Sequence, residues 1–287
     1  MNIKSSIKQL LNYMRGKRIV YREKVCRPYE LIVKEKNQFK GQVAVVTGAS
    51  GVIGRAIAYR LAAEGALVYA CGTKIEKVNA VVNEINNDGF SAKSLTFSLH
   101  DEQAINNAFK MVLDENGKID LLVCCAGGGA RNEMHPLVEQ SIEVIDSILS
   151  VNLRGAILCC REVLKYMTKL QSGNIILISS AVGVRGLANY SEYAAAKAGI
   201  IAFMQSIAME YGRNHIRVNC VSPGIVERGV IDDLKLERVK KTNWLNDFGK
   251  PEDIAGMVAY LNTQDASFIT GQNIVVDGGR SLGLKGA

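Results

Sequence analysis

The chain has 287 residues, 48% of them hydrophobic, and a mean hydropathy of +0.06, a composition that excludes disorder and allows a substantial core. Its net charge of +7 comes from residues 1–40, which carry eleven Lys or Arg and three Glu, so the near-neutral remainder is not expected to bind nucleic acid. No apolar run is long enough to span a bilayer, and the N-terminus shows no apolar secretion signal.

Residues 1–40 are predicted to form a basic N-terminal extension to a single domain at 41–287. Within residues 1–22, apolar residues recur at helical spacing among lysines and arginines, and the first acidic residue is Glu23. The pattern favours an extension that packs on the domain or frays from it. The alternatives are an amphipathic helix at a membrane surface or on a partner, and a transit peptide.

The cysteines include two adjacent pairs, and they show neither C-x-x-C spacing nor a Cys/His pattern that would bind a metal. Most lie in apolar runs. We interpret them as buried free thiols in a reducing compartment, which predicts a cytoplasmic protein without a metal site. The seven are Cys26, Cys71, Cys124, Cys125, Cys159, Cys160 and Cys220.

From residue 42 onward, apolar strand patterns alternate with helical patterns. Strands are predicted at 42–47, 66–71, 92–98, 119–125, 175–178, 216–221 and 273–276. Helices are predicted at 55–65, 74–87, 101–115, 138–170 with a break, from Tyr193 to about 212, and at 251–261, with an irregular segment at 223–247. Strands separated by helices imply a parallel sheet with right-handed crossovers, and therefore one doubly wound α/β domain.

A glycine-rich turn, with Gly48, Gly51 and Gly54, separates the first strand from the first helix. Glycines there allow the backbone to approach a pyrophosphate at the helix N-terminus, although a plain structural turn is the alternative. The second strand ends without an Asp or Glu that would accept from the ribose 2′-OH of NAD. Thr73 can donate a hydrogen bond and Lys74 adds positive charge, which favours NADP(H) over NAD(H) unless Lys74 is simply solvated.

Tyr193 and Lys197 are four residues apart in the last long predicted helix, so they share one face of it. A free phenol has a pKa of about 10, and a nearby cation favours the phenolate, which brings proton transfer toward neutral pH. Ser180, at the end of the preceding strand, can supply a hydroxyl donor. Alone, the Tyr/Lys spacing also occurs by chance on many helices.

Several further motifs occur in one order along the chain. They are Thr47-Gly48…Gly54, Ala126-Gly127, Val151-Asn152, Ser180, Tyr193…Lys197, Arg217-Val218-Asn219…Pro223-Gly224 and Thr270-Gly271-Gln272…Val276-Asp277-Gly278-Gly279. Over about residues 41–280, this set resembles the short-chain dehydrogenase/reductase family in its shorter, non-extended form. The resemblance implies a Rossmann fold and a nicotinamide cofactor.

The resemblance also implies roles for four residues. Tyr193 is expected to be the general acid for carbonyl reduction, or the base for alcohol oxidation. Lys197 would lower the pKa of Tyr193 and bind the nicotinamide ribose, and Ser180 would donate to the substrate oxygen. Asn152 would hold a water that links Lys197 to solvent. The predicted cofactor-binding residues are Gly48, Ser50, Gly51, Ile53, Gly54, Thr73, Lys74, Ser98, Leu99, Ala126, Gly127, Tyr193, Lys197, Pro223, Gly224 and Val226.

Four positions depart from the family pattern. Val52 stands where the family has its middle glycine, which here is Gly51, one residue earlier. Cys124 replaces the first Asn of Asn-Asn-Ala-Gly, Ser98 replaces an acidic residue near the adenine, and Arg228 replaces a Thr that reaches the nicotinamide amide. The four catalytic positions are intact.

The expected function is hydride transfer between a nicotinamide cofactor and a small carbonyl or secondary alcohol substrate. The resembling enzymes act on 3-oxoacyl-[acyl carrier protein], sugar or steroid substrates, and the alternative is a catalytically weak dinucleotide-binding scaffold protein. Substrate contacts are expected from residues 128–136, including Arg131 and His135, and from 182–190 and 225–247. A homodimer or homotetramer is expected through the apolar stretch Ile200–Ala208.

Overall fold

The computed structural model describes residues 37–128, 135–229 and 231–283. Its strands form one parallel sheet, and their ranges are β1 (Val43–Thr47), β2 (Leu67–Gly72), β3 (Ala92–Thr96), β4 (Leu121–Cys124), β5 (Gly173–Ile178), β6 (Ile216–Pro223) and β7 (Asn273–Val276). The strand order is β3-β2-β1-β4-β5-β6-β7, so the direction of winding reverses between β1 and β4. Ligands of such sheets bind beyond the carboxyl ends of the strands at this reversal.

Helices cover both faces of the sheet. Their ranges are α1 (Val52–Ala63), α2 (Ile75–Asn87), α3 (Glu102–Asn116), α4 (Ile142–Leu149), α5 (Gly155–Leu170), α6 (Ala181–Arg185), α7 (Ser191–Tyr211), α8 (Asp233–Lys240) and α9 (Pro251–Asn262). One core lies between the sheet and α3, α5 and α7, and the other lies between the sheet and α1, α2 and α9. Successive β1 residues alternate between these cores, which is why the strand is apolar throughout. The predicted doubly wound α/β fold is confirmed.

Some predicted element boundaries were wrong. Helix α1 begins at Val52 rather than at residue 55, because Gly51 adopts an extended conformation that serves as its N-cap. The segment 223–247 was predicted to be irregular, but it contains α8, which starts where the Asp232 side chain accepts from Lys235 N. The possible break predicted within residues 138–170 is not an interruption of the helix, because α4 continues through a π-turn at Ser150–Arg154 into α5 with helical backbone at Leu149 and Gly155.

The N-terminal extension lies almost wholly outside the described residues, so the division at residue 40 stays a prediction. Within the described part, Phe39 is buried and its backbone N–H donates to Glu64 O at 2.7 Å. Six cysteines are free thiols, five of them buried, whereas Cys26 falls outside the described ranges. None of the described helices has the length and apolar character needed to cross a membrane.

Candidate active site

A cleft of about 630 Å³ opens at the carboxyl ends of β1, β4, β5 and β6. It contains 15 of the residues predicted for catalysis or cofactor binding: Gly48, Ser50, Gly51, Ile53, Gly54, Thr73, Ser98, Leu99, Ala126, Gly127, Ser180, Tyr193, Lys197, Pro223 and Gly224. Three predicted residues lie outside its lining. Lys74 is exposed at the N-cap of α2, Val226 is buried beside Gly249, and Asn152 is buried behind the cleft wall.

The glycine turn forms the floor of the cleft together with the chain after β4. Gly48 has a φ of +68°, and a Cβ there would lie 2.6 Å from Ala126 Cα, so only glycine allows this approach. The Thr47 hydroxyl accepts from the backbone N–H groups of Cys125 (3.2 Å) and Ala126 (3.1 Å). The two loops are therefore held together where a dinucleotide would lie.

The N-terminus of α1 opens directly into this cleft. Its first residues, Val52, Ile53 and Gly54, line the cavity, and the helix has neither a side-chain cap nor an acidic residue in its first turn. Unsatisfied backbone N–H groups at a helix N-terminus attract anions, and the macrodipole adds to this attraction. The turn and the helix therefore fit a pyrophosphate group.

Lys197 lies buried in α7 with its side chain facing the cleft. Its Nζ donates to Ile178 O at 2.9 Å, and Ser179 Oγ donates to Lys197 O at 2.7 Å, so both ends of the residue are held by the end of β5. Burial lowers the pKa of Lys197 from 10.5 to about 8. The ammonium is thus a poorly solvated cation, 5.7 Å from the Tyr193 ring centroid.

Tyr193 and Ser180 enter the same part of the cleft from α7 and from the end of β5. The Tyr193 ring packs edge-on against Tyr190, with the ring centroids 5.9 Å apart. Ser180 is the N-cap of α6, and its Oγ accepts from Val182 N at 3.2 Å. A hydroxyl that accepts in this way still has its own hydrogen to donate to a substrate oxygen.

Asn152 sits in the π-turn, a distortion often found at functional sites. Its Nδ2 donates to Ile148 O (3.0 Å) and Gly128 O (3.1 Å), and its Oδ1 accepts from Gly128 N (3.1 Å). A Cβ on Gly127 would collide with Asn152 Oδ1 and lie 3.3 Å from Lys197 Nζ, so the loop passes closely between the two side chains. Asn152 therefore anchors the loop that covers Lys197, and its water-holding role stays a prediction.

Comparison with known proteins agrees with this architecture. A family model described as Enoyl-(Acyl carrier protein) reductase matches residues 48–281. The 3-oxoacyl-[acyl-carrier-protein] reductase FabG of Aquifex aeolicus is 37% identical over 246 residues, which cover 84% of this chain and 98% of that protein. The chain belongs to the short-chain dehydrogenase/reductase family.

Other members of this family are similar to the chain at comparable levels. The 7alpha-hydroxysteroid dehydrogenase of Bacteroides fragilis is 30% identical over 253 residues, covering 86% of this chain and 96% of that protein. A crystal structure of a presumed gluconate dehydrogenase from Agrobacterium tumefaciens matches with a TM-score of 0.80 at 30% identity, covering 88% of this chain and 100% of that chain. The protein is accordingly an NAD(P)-dependent oxidoreductase that acts on carbonyl or alcohol groups.

The structure accommodates the departures from the family pattern. Val52 becomes the first residue of α1 and is 40% exposed, while the turn closes through Gly51 N, which donates to Gly48 O at 3.0 Å. Cys124 is buried against Cys159 and Cys160 in the core. Burial raises the pKa of the neighbouring Cys125 to about 12, so this cleft-lining thiol is protonated at neutral pH.

Several cleft residues were not predicted from the sequence. Arg280 is a lining residue, and so is His100, whose Nδ1 lies 2.8 Å from Ser150 Oγ. Tyr190 also lines the cleft, and it belongs to the range 182–190 from which substrate contacts were predicted. The sequence offered one signal that could have placed Arg280 at the cleft, which is its position directly after the motif Asp277-Gly278-Gly279. Of the predicted substrate-contacting residues, His135 is exposed outside the cleft, Arg228 lines it, and Arg131 lies outside the described ranges.

The close approach at Gly48 leads to a first prediction. Gly48→Ala should lower the free energy of unfolding by about 2–4 kcal/mol, because it combines a left-handed conformation with a clash against backbone. Gly117→Ala is the matched control, since Gly117 has a φ of +72° but no atom within 4 Å of the added Cβ. Urea unfolding would measure both, and equal losses would contradict the proposed steric role of Gly48.

Proposed function

We propose that this protein is an NADPH-dependent carbonyl reductase in which Tyr193 protonates the substrate oxygen. The observation that carries the proposal is the convergence of Tyr193, Lys197 and Ser180 in the same cleft that the glycine turn and the N-terminus of α1 line. A dinucleotide with its pyrophosphate at the N-terminus of α1 would extend toward these three side chains. When bound, the nicotinamide supplies the hydride.

Each of these three side chains has a distinct proposed task. The Tyr193 hydroxyl passes its proton to the carbonyl oxygen, while Ser180 donates a hydrogen bond to the same oxygen as negative charge develops on it. The Lys197 ammonium stabilises the phenolate that Tyr193 becomes, and it holds the nicotinamide ribose. Through its contacts with Gly128, Asn152 keeps the covering loop in place and is proposed to hold the relay water.

The preference for NADP(H) rests on the charge of the cleft. No Asp or Glu lines it among the described residues, so no carboxylate is placed to accept from a ribose 2′-OH. The polar groups near the end of β2 are the hydroxyls of Ser50, Thr73 and Ser98. Lys74 follows Thr73 with an exposed side chain, and it adds positive charge beside this end of the cleft.

A single substitution tests this preference. Thr73→Asp should lower kcat/KM for NADPH about 100-fold, because a carboxylate beside a 2′-phosphate costs several kcal/mol, and it should raise the relative use of NADH. The control is Thr73→Asn, because the Asn side chain has the size of Asp but no charge. This variant should keep the preference for NADPH. If Thr73→Asp left the NADPH to NADH ratio unchanged, the 2′-phosphate would not lie at Thr73.

The proposed function is tested by following NADPH oxidation with a panel of carbonyl compounds. A 3-oxoacyl thioester comes first in the panel, since the FabG relative is a 3-oxoacyl-[acyl-carrier-protein] reductase. Sugar and steroid ketones follow. The scaffold alternative predicts NADPH binding, seen as a change in nicotinamide fluorescence, without turnover of any member of the panel.

We also propose a homodimer or homotetramer in the cytoplasm. The stretch Ile200–Ala208 largely faces the core, with Ile200, Met204 and Ile207 buried, so it offers less contact surface than expected. Exposed apolar side chains lie elsewhere, at Val138 and Phe268 among others. Light scattering measures the oligomeric state. The proposed cytoplasmic location is supported by the free thiols, which are typical of a reducing compartment.

A further inference from the structure

A side pocket of about 290 Å³ adjoins the catalytic cleft. Ala181, Val182, Leu187 and Arg280 line both cavities, so the two cavities lie side by side along α6. The side pocket is otherwise lined by Arg185, Gly186, Thr242 and Ser281. It therefore extends the space beside Ser180, the N-cap of α6, away from the glycine turn.

The charge in this pocket is uniformly positive. Arg185 and Arg280 line it, and within the described ranges no carboxylate lines either the pocket or the cleft. Neither guanidinium makes an ion pair or a side-chain hydrogen bond with any described residue. The acid nearest in sequence to Arg280, Asp277, accepts from the backbone N–H groups of Gly279 (2.8 Å) and Ser281 (2.7 Å). Both guanidiniums therefore retain their hydrogen-bond donors for a ligand.

The local backbone holds Arg280 in position. The Asp277 carboxylate accepts from Ser281 N within the 3-10 turn Arg280–Leu282, and this turn packs against α6. Trp244 N donates to Gly278 O at 2.8 Å, and a Cβ on Gly279 would lie only 3.0 Å from Trp244 Cδ1. Trp244, the single tryptophan of the chain, thus adjoins the turn that carries Arg280 and can report on ligands there.

We infer that the side pocket binds an oxyanion, a carboxylate or a phosphate, on the tail of a carbonyl substrate whose oxo group lies at Tyr193 and Ser180. This rests on the proposed function. Arg185 follows Ser180 by five positions, a rise of roughly 7–8 Å along α6, and the apolar side chains of Ala181, Val182 and Leu187 line the space between. Guanidinium groups bind carboxylates and phosphates in two-point geometry, so this pair selects an anion over a neutral tail.

Two substrate pairs test the inference and separate the two anion sources. One pair is 4-oxopentanoate and its methyl ester; the other is 4-oxopentyl phosphate and 5-hydroxypentan-2-one, the neutral alcohol from which it derives. We expect the anionic member of at least one pair to have a kcat/KM at least tenfold higher. A carboxylate source requires this in the first pair and a phosphate source in the second. Equal values within both pairs would overturn the inference.

The variant Arg185→Ala should remove the preference for the anion and leave kcat/KM for the neutral partner within about twofold of the wild type. The variant Arg280→Ala should remove the same preference, measured as the ratio of the two kcat/KM values within that variant. Arg213→Ala, an exposed arginine outside both cavities, is the matched control and should keep the preference. A preference that survives both pocket substitutions would also overturn the inference. If no compound is reduced, the proposed function fails, and Trp244 fluorescence then measures binding of the same pairs directly.

Discussion

Replacing Tyr193 with Phe should lower kcat by about 10²–10⁴-fold, the range in which a positioned general acid contributes to a reaction. The substitution removes one oxygen and keeps the ring that packs edge-on against Tyr190, so the fold and the cofactor site should persist. Turnover of the best substrate in the panel gives kcat, and NADPH fluorescence gives the dissociation constant. We expect the dissociation constant to change less than about threefold.

The control for this prediction is Tyr190→Phe. Tyr190 also lines the cleft and contacts Tyr193, but it lies just before α7 and has no proposed proton to transfer. Its kcat should therefore remain within about tenfold of the wild type. If Tyr193→Phe kept full turnover, or if both variants lost the same amount, another group would have to be the acid.

Lys197→Met should remove most of the activity and at the same time stabilise the cofactor-free protein at pH 7. Burial holds the pKa of Lys197 at about 8, against 10.5 for an exposed lysine, so the folded state carries a destabilising buried ammonium. The difference corresponds to about 3 kcal/mol, from which the lost hydrogen bond to Ile178 O subtracts about 1 kcal/mol. The expected gain in the free energy of unfolding is about 2 kcal/mol.

The dependence of this gain on pH follows from the direction of the shift. Because the folded pKa of Lys197 is lower than the unfolded one, the unfolded chain binds more protons between about pH 8 and 10.5. The cost of burying the charge is therefore fully present below pH 8, and it declines as the pH rises toward 10.5. At pH 9.5, the advantage of the Met variant should be close to zero.

Urea unfolding of the wild type and the variant at pH 7 and pH 9.5, at one protein concentration and without cofactor, measures this difference. Lys110→Met is the matched control, because Lys110 is exposed on α3 and its substitution removes no buried charge. A Met variant that is less stable than the wild type at pH 7 would show that the ammonium is stabilised by its surroundings. A substitution that raises stability while it lowers activity, as expected for Lys197→Met, is typical of a site where a charged group is buried for function.

Local sequence pattern was sufficient to predict the fold and to single out most of the proposed reacting groups that share one cleft. Apolar runs separated by amphipathic helices imply a covered parallel sheet, and Gly48, Ser180, Tyr193 and Lys197 all line one cleft. These features could be predicted because a strand, a glycine turn and a helix face depend on neighbouring residues alone. The short helices α6 and α8 were not predicted, although their N-caps, Ser180 and Asp232, are local features of the sequence.

Only the tertiary structure decided what lies beside those groups. It placed Asn152 against the backbone of Gly128 and behind the cleft wall. It left Lys74 outside the lining, and it brought Arg280 from the C-terminal region to Arg185 on α6. Asn152 is 24 positions from Gly128 in the sequence, and Arg280 is 95 positions from Arg185. No local pattern encodes proximity between residues so far apart in the chain. The reduced pKa of Lys197 has the same origin, because its burial results from the packing of α7 against the end of β5.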